Sequence, residues 1–215
     1  MKKKNIDNIN NWLKDFDNEY YYHVSQFKNQ KESTKKFYKF IKKNLSNSNL
    51  VLDIGAGAGA ATYFFANQNK DIKFIASDIN QKLLSFGKKF TFKKSKNISF
   101  KKLDFYNLKL KPIYDGIISL QTLSWLNDYK KPLFQVFRLS PRWFALSSLF
   151  YDGDISCKIK VKENKNNRER YYNIYSIPEI NRYANRYKYF IKKIETFEIN
   201  KKLIKPNDPN FMKTY

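Results

Sequence analysis

The stretch from Val51 to Gly59, which reads VLDIGAGAG, constrains the fold more than any other part of the sequence. The apolar run that ends at Ile54 predicts a strand buried on both faces, as in a parallel sheet. The three alternating glycines allow a sharp turn and a close approach of the backbone to a ligand. Residues Ala60 to Ala66 can then form a helix whose N-terminal N–H groups face that ligand. The stretch therefore predicts a strand, a ligand-binding turn and a helix.

The carboxylate of Asp53, two residues before the first glycine, narrows the type of ligand. A nicotinamide dinucleotide, a nucleotide phosphate and S-adenosylmethionine all suit such a turn, and Ala60 could replace the last glycine of the dinucleotide pattern. A carboxylate suits a ligand that carries an ammonium group, whereas it would repel a pyrophosphate. The sequence contains no G-x-x-x-x-G-K-[ST] motif, so a P-loop is excluded.

Two further carboxylates stand at the ends of predicted strands. Asp78 ends the run 73–77 and follows Gly59 by 78 − 59 = 19 residues. This is close to the spacing of about 20 at which an acid reaches ribose hydroxyls. Asp104 ends a third run, and residues 116–120 form a fourth. Because the carboxyl ends of parallel strands share one edge, where open α/β sheets bind ligands, we expect these acids to lie together.

Taken together, these segments resemble the class I S-adenosylmethionine-dependent methyltransferases. The resemblance rests on VLDIGAGAG, Asp78-Ile79, Asp104-Phe105 and the strand GIISLQ, and it extends from Ser33 to Asn200. Within this superfamily the sequence is most similar to bacterial methyltransferases of small molecules. The resemblance implies an α/β fold with a Rossmann-like, doubly wound, mostly parallel sheet, and S-adenosyl-L-methionine as cofactor. An RNA methyltransferase and a non-catalytic cofactor-binding relative remain as alternatives.

The resemblance also implies roles for individual residues. Asp53 would hold the amino group of the methionine moiety, directly or through water, Asp78 would bind the ribose hydroxyls, and Asp104 would accept from the adenine amino group. The glycines would line the methionine moiety, the residues after the second and third acids would lie beside the adenine, and the end of the fourth strand would flank the sulfonium. The expected cofactor-binding residues are Asp53, Gly55, Ala56, Gly57, Asp78, Ile79, Asp104, Phe105, Ser119, Leu120 and Gln121.

The composition bears on possible partners. The 215 residues include 42 Lys plus Arg and 19 Asp plus Glu, for a formal net charge of +23. Such a charge is typical of proteins that bind nucleic acid or an anionic membrane. The lysines, however, are scattered along the chain, and Asn, Ile, Phe and Tyr are abundant with them, as in proteins from A- and T-rich genomes. We therefore expect a small-molecule acceptor, with nucleic acid less favoured, and leave the oligomeric state open.

Two substrate motifs and several targeting signals are missing. Residues Gln121 to Asp128 stand where nucleic-acid amino methyltransferases carry [DNS]-P-P-[YFW], and they contain no cysteine that could attack C6 of a cytosine. The single cysteine, Cys157, excludes an intramolecular disulfide and a cysteine-rich zinc site, so we expect no bound metal. No apolar run has the length of a signal peptide or a membrane span, which favours a cytoplasmic protein.

The N-terminal segment 1–32 has two interpretations. In the first it is a helical lid over the cofactor, with the only histidine, His23, as a weak candidate for a general base. In the second interpretation its aromatic residues pack on the domain, and His23 is either exposed or has its ring nitrogens hydrogen-bonded within the protein. The stripe of Trp12, Leu13 and Phe16 predicts a short helix in either case.

The rest of the chain predicts one methyltransferase domain over residues 1–215. Ser33 or Thr34 can cap a helix, after which strands and helices alternate. An insertion at 150–176 carries Lys158, Lys160 and Lys162 in alternation with apolar residues, which predicts a half-exposed strand. The insertion is either a flap that attracts an acidic substrate or a solvated hairpin. The later predicted strands are 72–77, 98–104, 114–120 and Trp143–Leu149, and the helices are 80–90, 128–139 and Pro178–Arg186.

The C-terminal part predicts a shortened sheet. A sixth strand is expected within Tyr189 to Asn200, where Phe197 and Ile199 alternate with Glu198. The tail 201–215 contains two prolines, which cannot donate into a central ladder, so it is a poor seventh strand. We therefore expect about six strands and an edge of the fifth strand that is open, covered by the tail or insertion, or covered in a dimer.

Overall fold

The central feature of the molecule is a parallel sheet of five strands. The computed structural model describes residues 20–109, 113–163 and 168–198. The strands of the sheet are β1 (Leu50–Ile54), β2 (Lys73–Asp78), β3 (Ile98–Lys102), β4 (Gly116–Leu120) and β5 (Trp143–Ser147). Their order is β3-β2-β1-β4-β5, and every neighbouring pair is parallel. The predicted α/β, Rossmann-like class is confirmed.

Helices cover both faces of this sheet. They are α1 (Tyr20–Lys28), α2 (Glu32–Leu45), α3 (Ala60–Gln68), α4 (Gln81–Thr91), α5 (Lys130–Leu139) and α6 (Ile177–Asn185). Phe37 of α2 and Phe65 of α3 pack with Val51 on one face. Val136 of α5 packs with Leu52 on the other. In the described ranges, no helix combines the length and apolar character needed to cross a membrane.

The central strand β1 is apolar because both of its faces are covered. Val51 and Leu52 have no exposed surface, and they belong to the clusters on opposite faces. Asp53 interrupts the apolar sequence with a carboxylate that is only 1% exposed. Because burial of a charged group is costly, this position calls for a functional explanation.

The start of α2 differs from the prediction. Ser33 and Thr34 are predicted caps, but the helix begins at Glu32, and Lys31 occupies the N-cap position without a side-chain cap bond. Thr34 lies within the first turn, and its side chain is buried. The capping prediction is therefore wrong, because Thr34 contributes to the packed face instead.

The insertion 150–176 forms a hairpin. Its short strands are β6 (Phe150–Tyr151), β7 (Lys160–Glu163), β8 (Arg168–Tyr171) and β9 (Tyr175–Ser176). β7 pairs antiparallel with β8, whereas β6 and β9 are parallel. The buried side chain of Asn173 fixes the base of the hairpin: its amide donates to the Leu126 carbonyl at 2.8 Å, and its oxygen accepts from the Ile159 N–H at 3.1 Å. The hairpin is thereby attached to the loop that follows β4.

The sixth strand predicted within Tyr189–Asn200 is wrong for residues 189–198, which form neither helix nor strand. Phe190 is 71% exposed and Ile194 is 54% exposed. The apolar residues of this segment do not alternate over its length, because Phe190 and Ile191 are adjacent while Ile194 and Phe197 are three positions apart, so they cannot cover one face of a strand. The predicted helix near residue 12 and the tail 201–215 lie outside the described residues.

Asp115 joins the starts of the central strands. One of its oxygens, Oδ2, accepts from the N–H groups of Asn49 at 2.7 Å and Leu50 at 3.0 Å. The other oxygen accepts from the Arg142 guanidinium at 2.7 Å. The hydrogen bond from Asn49, followed by those from Leu50 and Arg142, holds the pKa of Asp115 below its ordinary value.

We predict that Asp115→Ala lowers the free energy of unfolding by about 1–3 kcal/mol at neutral pH, because two backbone N–H groups lose their acceptor. The folded-state pKa is lowered, so this stabilisation is present above the unfolded pKa of about 3.9 and is lost as the pH falls through the folded value. Urea unfolding at several pH values measures it, with Asp71→Ala at an exposed acid as control. A loss that does not shrink in acid would contradict the assignment.

Candidate functional site

The turn after β1 lies at the carboxyl edge of the sheet and is shaped by glycine. Gly55, Gly57 and Gly59 have positive φ angles of 72°, 57° and 78°, which residues with a Cβ rarely adopt. The N–H of Ala56 donates to the carbonyl of Ser77 in β2 at 2.9 Å, and the N–H of Gly59 donates to the Ala56 carbonyl at 2.8 Å. The turn is therefore fixed to the neighbouring strand.

The three glycines differ in the atoms that an added Cβ would meet. A Cβ on Gly55 would clash with the side chain of Thr122, and a Cβ on Gly59 would lie 2.7 Å from the ring of Phe100. A Cβ on Gly57 would have no atom of the described residues within 4 Å. The first and third glycines are thus required by the protein itself, whereas the second faces open space.

Asp53 presents a buried oxygen without a protein partner. Its Oδ2 accepts from the hydroxyl of Thr62 at 2.6 Å. Its Oδ1 has no hydrogen-bond partner among the described residues. Burial raises the pKa of this carboxyl to about 7, and the nearby Asp78 carboxylate adds to the increase. Since an unpaired buried polar atom costs about 1–3 kcal/mol, this oxygen suits a donor supplied by a ligand or by water.

Asp78 at the end of β2 supports the turn directly. Its Oδ2 accepts from the Gly57 N–H at 2.8 Å, and its Oδ1 accepts from the Asn80 N–H at 2.8 Å. Burial raises the pKa of this carboxyl, although these hydrogen bonds oppose the increase. Each carboxylate oxygen has a second lone pair, so Asp78 can hold the turn and still accept from a ligand.

The end of β4 reaches the same edge through its own hydrogen bonds. The buried hydroxyl of Ser119 donates to the Ile54 carbonyl at 2.8 Å, so it joins β4 to β1. Leu120 is half-buried. Gln121 is exposed, has a positive φ of 54° and donates from its N–H to the Ser147 carbonyl at 2.6 Å. This strand end is therefore a second turn that lies beside the glycine turn.

The remaining predicted residues lie directly after β2 and shortly after β3. Ile79 is half-buried directly after β2. Asp104 is half-buried, and its Oδ1 accepts from the Tyr106 N–H at 2.8 Å. The side chain of Phe105 is buried in the cluster under α5 together with Leu103, and its place beside an adenine stays a prediction. It therefore contributes to the core on that face.

Three residues of the site were missed by sequence reasoning. Thr62 hydrogen-bonds Asp53, and Thr122 donates to the Gly55 carbonyl at 3.2 Å. Neither threonine belongs to a pattern that marks it in advance. The buried Asn80 caps α4 by accepting from two N–H groups of its first turn. An asparagine directly before a helical run is a recognisable cap, so this residue could have been predicted.

The first described helix, α1, packs beside the glycine turn. Phe27 packs with Ala58 and Ala60, and its ring stacks on Phe90 with centroids 4.3 Å apart. His23 is 8% exposed, and burial, followed by the positive charge of Lys31, lowers its pKa. These contacts agree with a packing role for α1. A lid role for the residues before it stays a prediction.

The hairpin makes an aromatic contact with the loop that follows β4. The half-buried ring of Trp125, in the loop after β4, meets Tyr172 edge to face with centroids 5.2 Å apart. The Asn173 N–H donates to the Ser124 carbonyl at 2.8 Å. Among the described residues, no three His, Cys, Asp or Glu side chains are grouped as a metal site. The hairpin and the loop after β4 are thus held together by ring and backbone contacts.

Comparison with known proteins finds similarity to methyltransferases. Residues 51–140 match a family model described as a methyltransferase domain. The malonyl-[acyl-carrier protein] O-methyltransferase of Bacillus anthracis is 32% identical over 93 residues, which are 43% of this chain. The match spans 34% of the length of that relative.

Solved structures share the fold over a larger part of the chain. The 1,6-didemethyltoxoflavin-N1-methyltransferase of Burkholderia thailandensis has a TM-score of 0.62 at 18% identity, over 84% of this chain and 77% of that one. An O-methyltransferase from a trans-AT PKS multienzyme of Brevibacillus brevis has a TM-score of 0.55 at 14% identity, over 72% of this chain and 51% of that one. Both of those proteins were solved with S-adenosylhomocysteine bound. The likeness establishes the common fold.

We predict that Asp53→Asn raises the free energy of unfolding by about 1–3 kcal/mol above neutral pH. The raised pKa means that the folded protein keeps a proton that the unfolded chain releases near pH 4. Wild-type stability therefore falls as the pH rises from about 4 to about 7, whereas the amide variant, which can still accept from Thr62, escapes this loss. Urea unfolding at several pH values measures the difference. A gain of equal size in weak acid would show that Asp53 is not protonated there.

Proposed function

We propose that this chain is a class I methyltransferase, which binds S-adenosyl-L-methionine and transfers the methyl group to a small-molecule acceptor. The match of residues 51–140 to a methyltransferase domain and the shared fold support this proposal. The observation that carries the proposal is the buried Asp53 Oδ1, which lacks a partner among the described residues. Asp53 lies near the end of β1, directly before the turn in which Gly57 faces open space. An ammonium group fits this oxygen because it donates hydrogen bonds and carries a positive charge. A pyrophosphate at the same place would be repelled.

The proposed binding roles follow from the groups that remain available. Asp53 accepts from the amino group, and Asp78 accepts from the ribose hydroxyls while it holds the Gly57 N–H. Ile79 and Asp104 are proposed beside the adenine. Phe105 is proposed to support Asp104 from the buried side, where it packs under α5. When bound, the cofactor supplies an electrophilic methyl group on a positively charged sulfur.

The proposed contribution of the protein to the reaction is alignment of the acceptor. Fixing two reactants in an attack geometry accounts for a large part of the rate of such transfers. The turn after β4 is fixed by its bonds to β1 and β5, and Asn173 fixes the hairpin that lies over this turn. An acceptor with a free lone pair needs no base. The lowered pKa of His23 keeps its imidazole neutral, so it stays a weak candidate where a base is needed.

The basic outer surface of the hairpin supports an acceptor with anionic groups. Lys158 and Lys162 are exposed on the hairpin. The curated relative is named for a malonyl group on acyl carrier protein, and the Burkholderia protein was solved with 1,6-didemethyltoxoflavin. The net charge of +23 favours RNA as the second candidate acceptor. We further propose a cytoplasmic location, in keeping with the free thiol of Cys157.

The proposal is tested first by calorimetry with S-adenosylhomocysteine and with NAD. We expect micromolar affinity for the former and none for NAD. The acceptor is then identified by incubating the protein and methyl-labelled cofactor with a metabolite extract, with malonyl-acyl carrier protein or with total RNA. Binding of NAD alone would overturn the proposal. Label found only in RNA would replace the small-molecule acceptor by the second candidate.

We predict that Asp78→Ala weakens the affinity for S-adenosylhomocysteine about 10- to 150-fold, because charge-assisted hydrogen bonds to the ligand are lost and the Gly57 N–H loses its acceptor. Isothermal titration calorimetry measures the affinity, and thermal unfolding checks that the variant is folded. Asp71→Ala removes an exposed carboxylate at the opposite edge and serves as the matched control. An affinity within about a factor of two of wild type would refute the assignment.

We predict that Gly57→Val abolishes cofactor binding but leaves a folded protein. The added side chain meets open space in the described structure, so the loss would arise from the ligand position and from the positive φ. Gly55→Ala is the contrasting variant, because its Cβ clashes with Thr122 and should lower the stability itself. Calorimetry and thermal unfolding of both variants separate the two effects. Normal affinity in Gly57→Val would show that the ligand does not approach this turn.

A further inference from the structure

The amino edge of the sheet lies opposite the candidate site and is formed by the segments that precede the parallel strands. Phe92 lies between α4 and β3, and Ile113 lies shortly before β4. The segment after α6 reaches the same edge, because the hydroxyl of Tyr189 donates to the carbonyl of Pro141, two residues before β5, at 3.4 Å. Segments that are distant in the sequence therefore meet at one side of the molecule.

Large apolar side chains are exposed along this amino edge. Phe92 is 67% exposed, Ile113 is 81% exposed, and Phe190, which follows Tyr189 directly, is 71% exposed. A single exposed apolar residue is ordinary on a protein surface and needs no explanation. Phe92, Ile113 and Phe190 come from three separate segments that reach this edge, and together they indicate a surface that binds a partner.

The same segments carry more basic than acidic groups. Lys93 and Lys94 follow Phe92 directly, and Lys188 and Lys192 flank Phe190; all four lysines are exposed. The nearby acids are largely engaged, because Asp115 bonds to Arg142 and Glu195 bonds to Lys193, while Asp71 is an exposed acid on this side. The amino edge therefore combines apolar side chains with positive charge.

We propose that the amino edge binds the surface of an anionic lipid bilayer. Apolar side chains can enter the interface between headgroups and acyl chains, while lysines beside them are attracted to anionic lipids. A nucleic acid gives no favourable place to an aliphatic side chain such as that of Ile113. A second copy of the chain is opposed by the net charge of +23 on each molecule. The bilayer is the partner that satisfies both chemical features.

This attachment would leave the carboxyl edge facing away from the membrane. The glycine turn, Asp53 and Asp78 are at the ends of strands that start at the membrane side. A cofactor and a small acceptor would then enter from the aqueous phase while the protein is bound. The proposal does not depend on methyl transfer, and it is tested without any substrate.

The test is flotation of the full chain with vesicles of neutral lipid alone and with vesicles that contain about one third anionic lipid. We expect binding to the anionic vesicles only, weakened by salt. The double variant Phe92→Ser with Ile113→Ser keeps the net charge, and it should lower the partition coefficient about tenfold or more. The matched control is Ile155→Ser with Ile159→Ser on the hairpin, at residues that are 62% and 40% exposed, and it should bind like wild type.

A second measurement locates the contact. Phe92→Trp should show a blue shift of its added emission on anionic vesicles, whereas Ile155→Trp should not, with thermal unfolding used to confirm that each variant is folded. Equal vesicle binding by the Phe92/Ile113 variant and wild type would show that the protein binds only as a polycation. This result would overturn the proposal. Tight binding to RNA without vesicle binding, or a dimer broken by the same substitutions, would also overturn it.

Discussion

The buried carboxylate of Asp53 at the end of the central strand is the interaction on which the candidate site depends. One oxygen is held by Thr62, and burial alone keeps the other away from water. The apolar clusters on both faces of the sheet stabilise the fold enough to tolerate this group. An ordinary structural role would be served better by an apolar residue, so the carboxylate indicates a ligand that completes its hydrogen bonds.

The neighbouring Asp78 gives the site its shape before any ligand binds. Because its oxygens accept from Gly57 and Asn80, the glycine turn and the start of α4 are held to the same strand end. A turn fixed in this way loses little further entropy when a ligand is bound. The two acids therefore have different roles. Asp53 has an acceptor oxygen without a partner among the described residues, and Asp78 orders the backbone of the turn beside it.

The sequence predicts the strands and the positions of these acids, because a parallel sheet places every strand end at one edge. It does not predict contacts such as Thr122 with Gly55, which are 67 residues apart and depend on how two turns meet. Phe105 follows an acid as the family pattern expects, but its direction depends on how the chain leaves β3. In residues 189–198 the apolar positions suggest a strand, while their irregular spacing leaves them exposed.

A parallel sheet also separates charge along the strand direction, and this separation is more informative than the net charge of +23. Asp53, Asp78 and Asp104 come from three different strand ends, so the carboxyl edge is locally acidic in a strongly basic chain. A polyanion attracted by the lysines would meet these carboxylates at the glycine turn and be repelled there. A small ligand with a positive group would be favoured at the same place. The strand-end carboxylates therefore fit the proposed cationic cofactor better than they fit a polyanion.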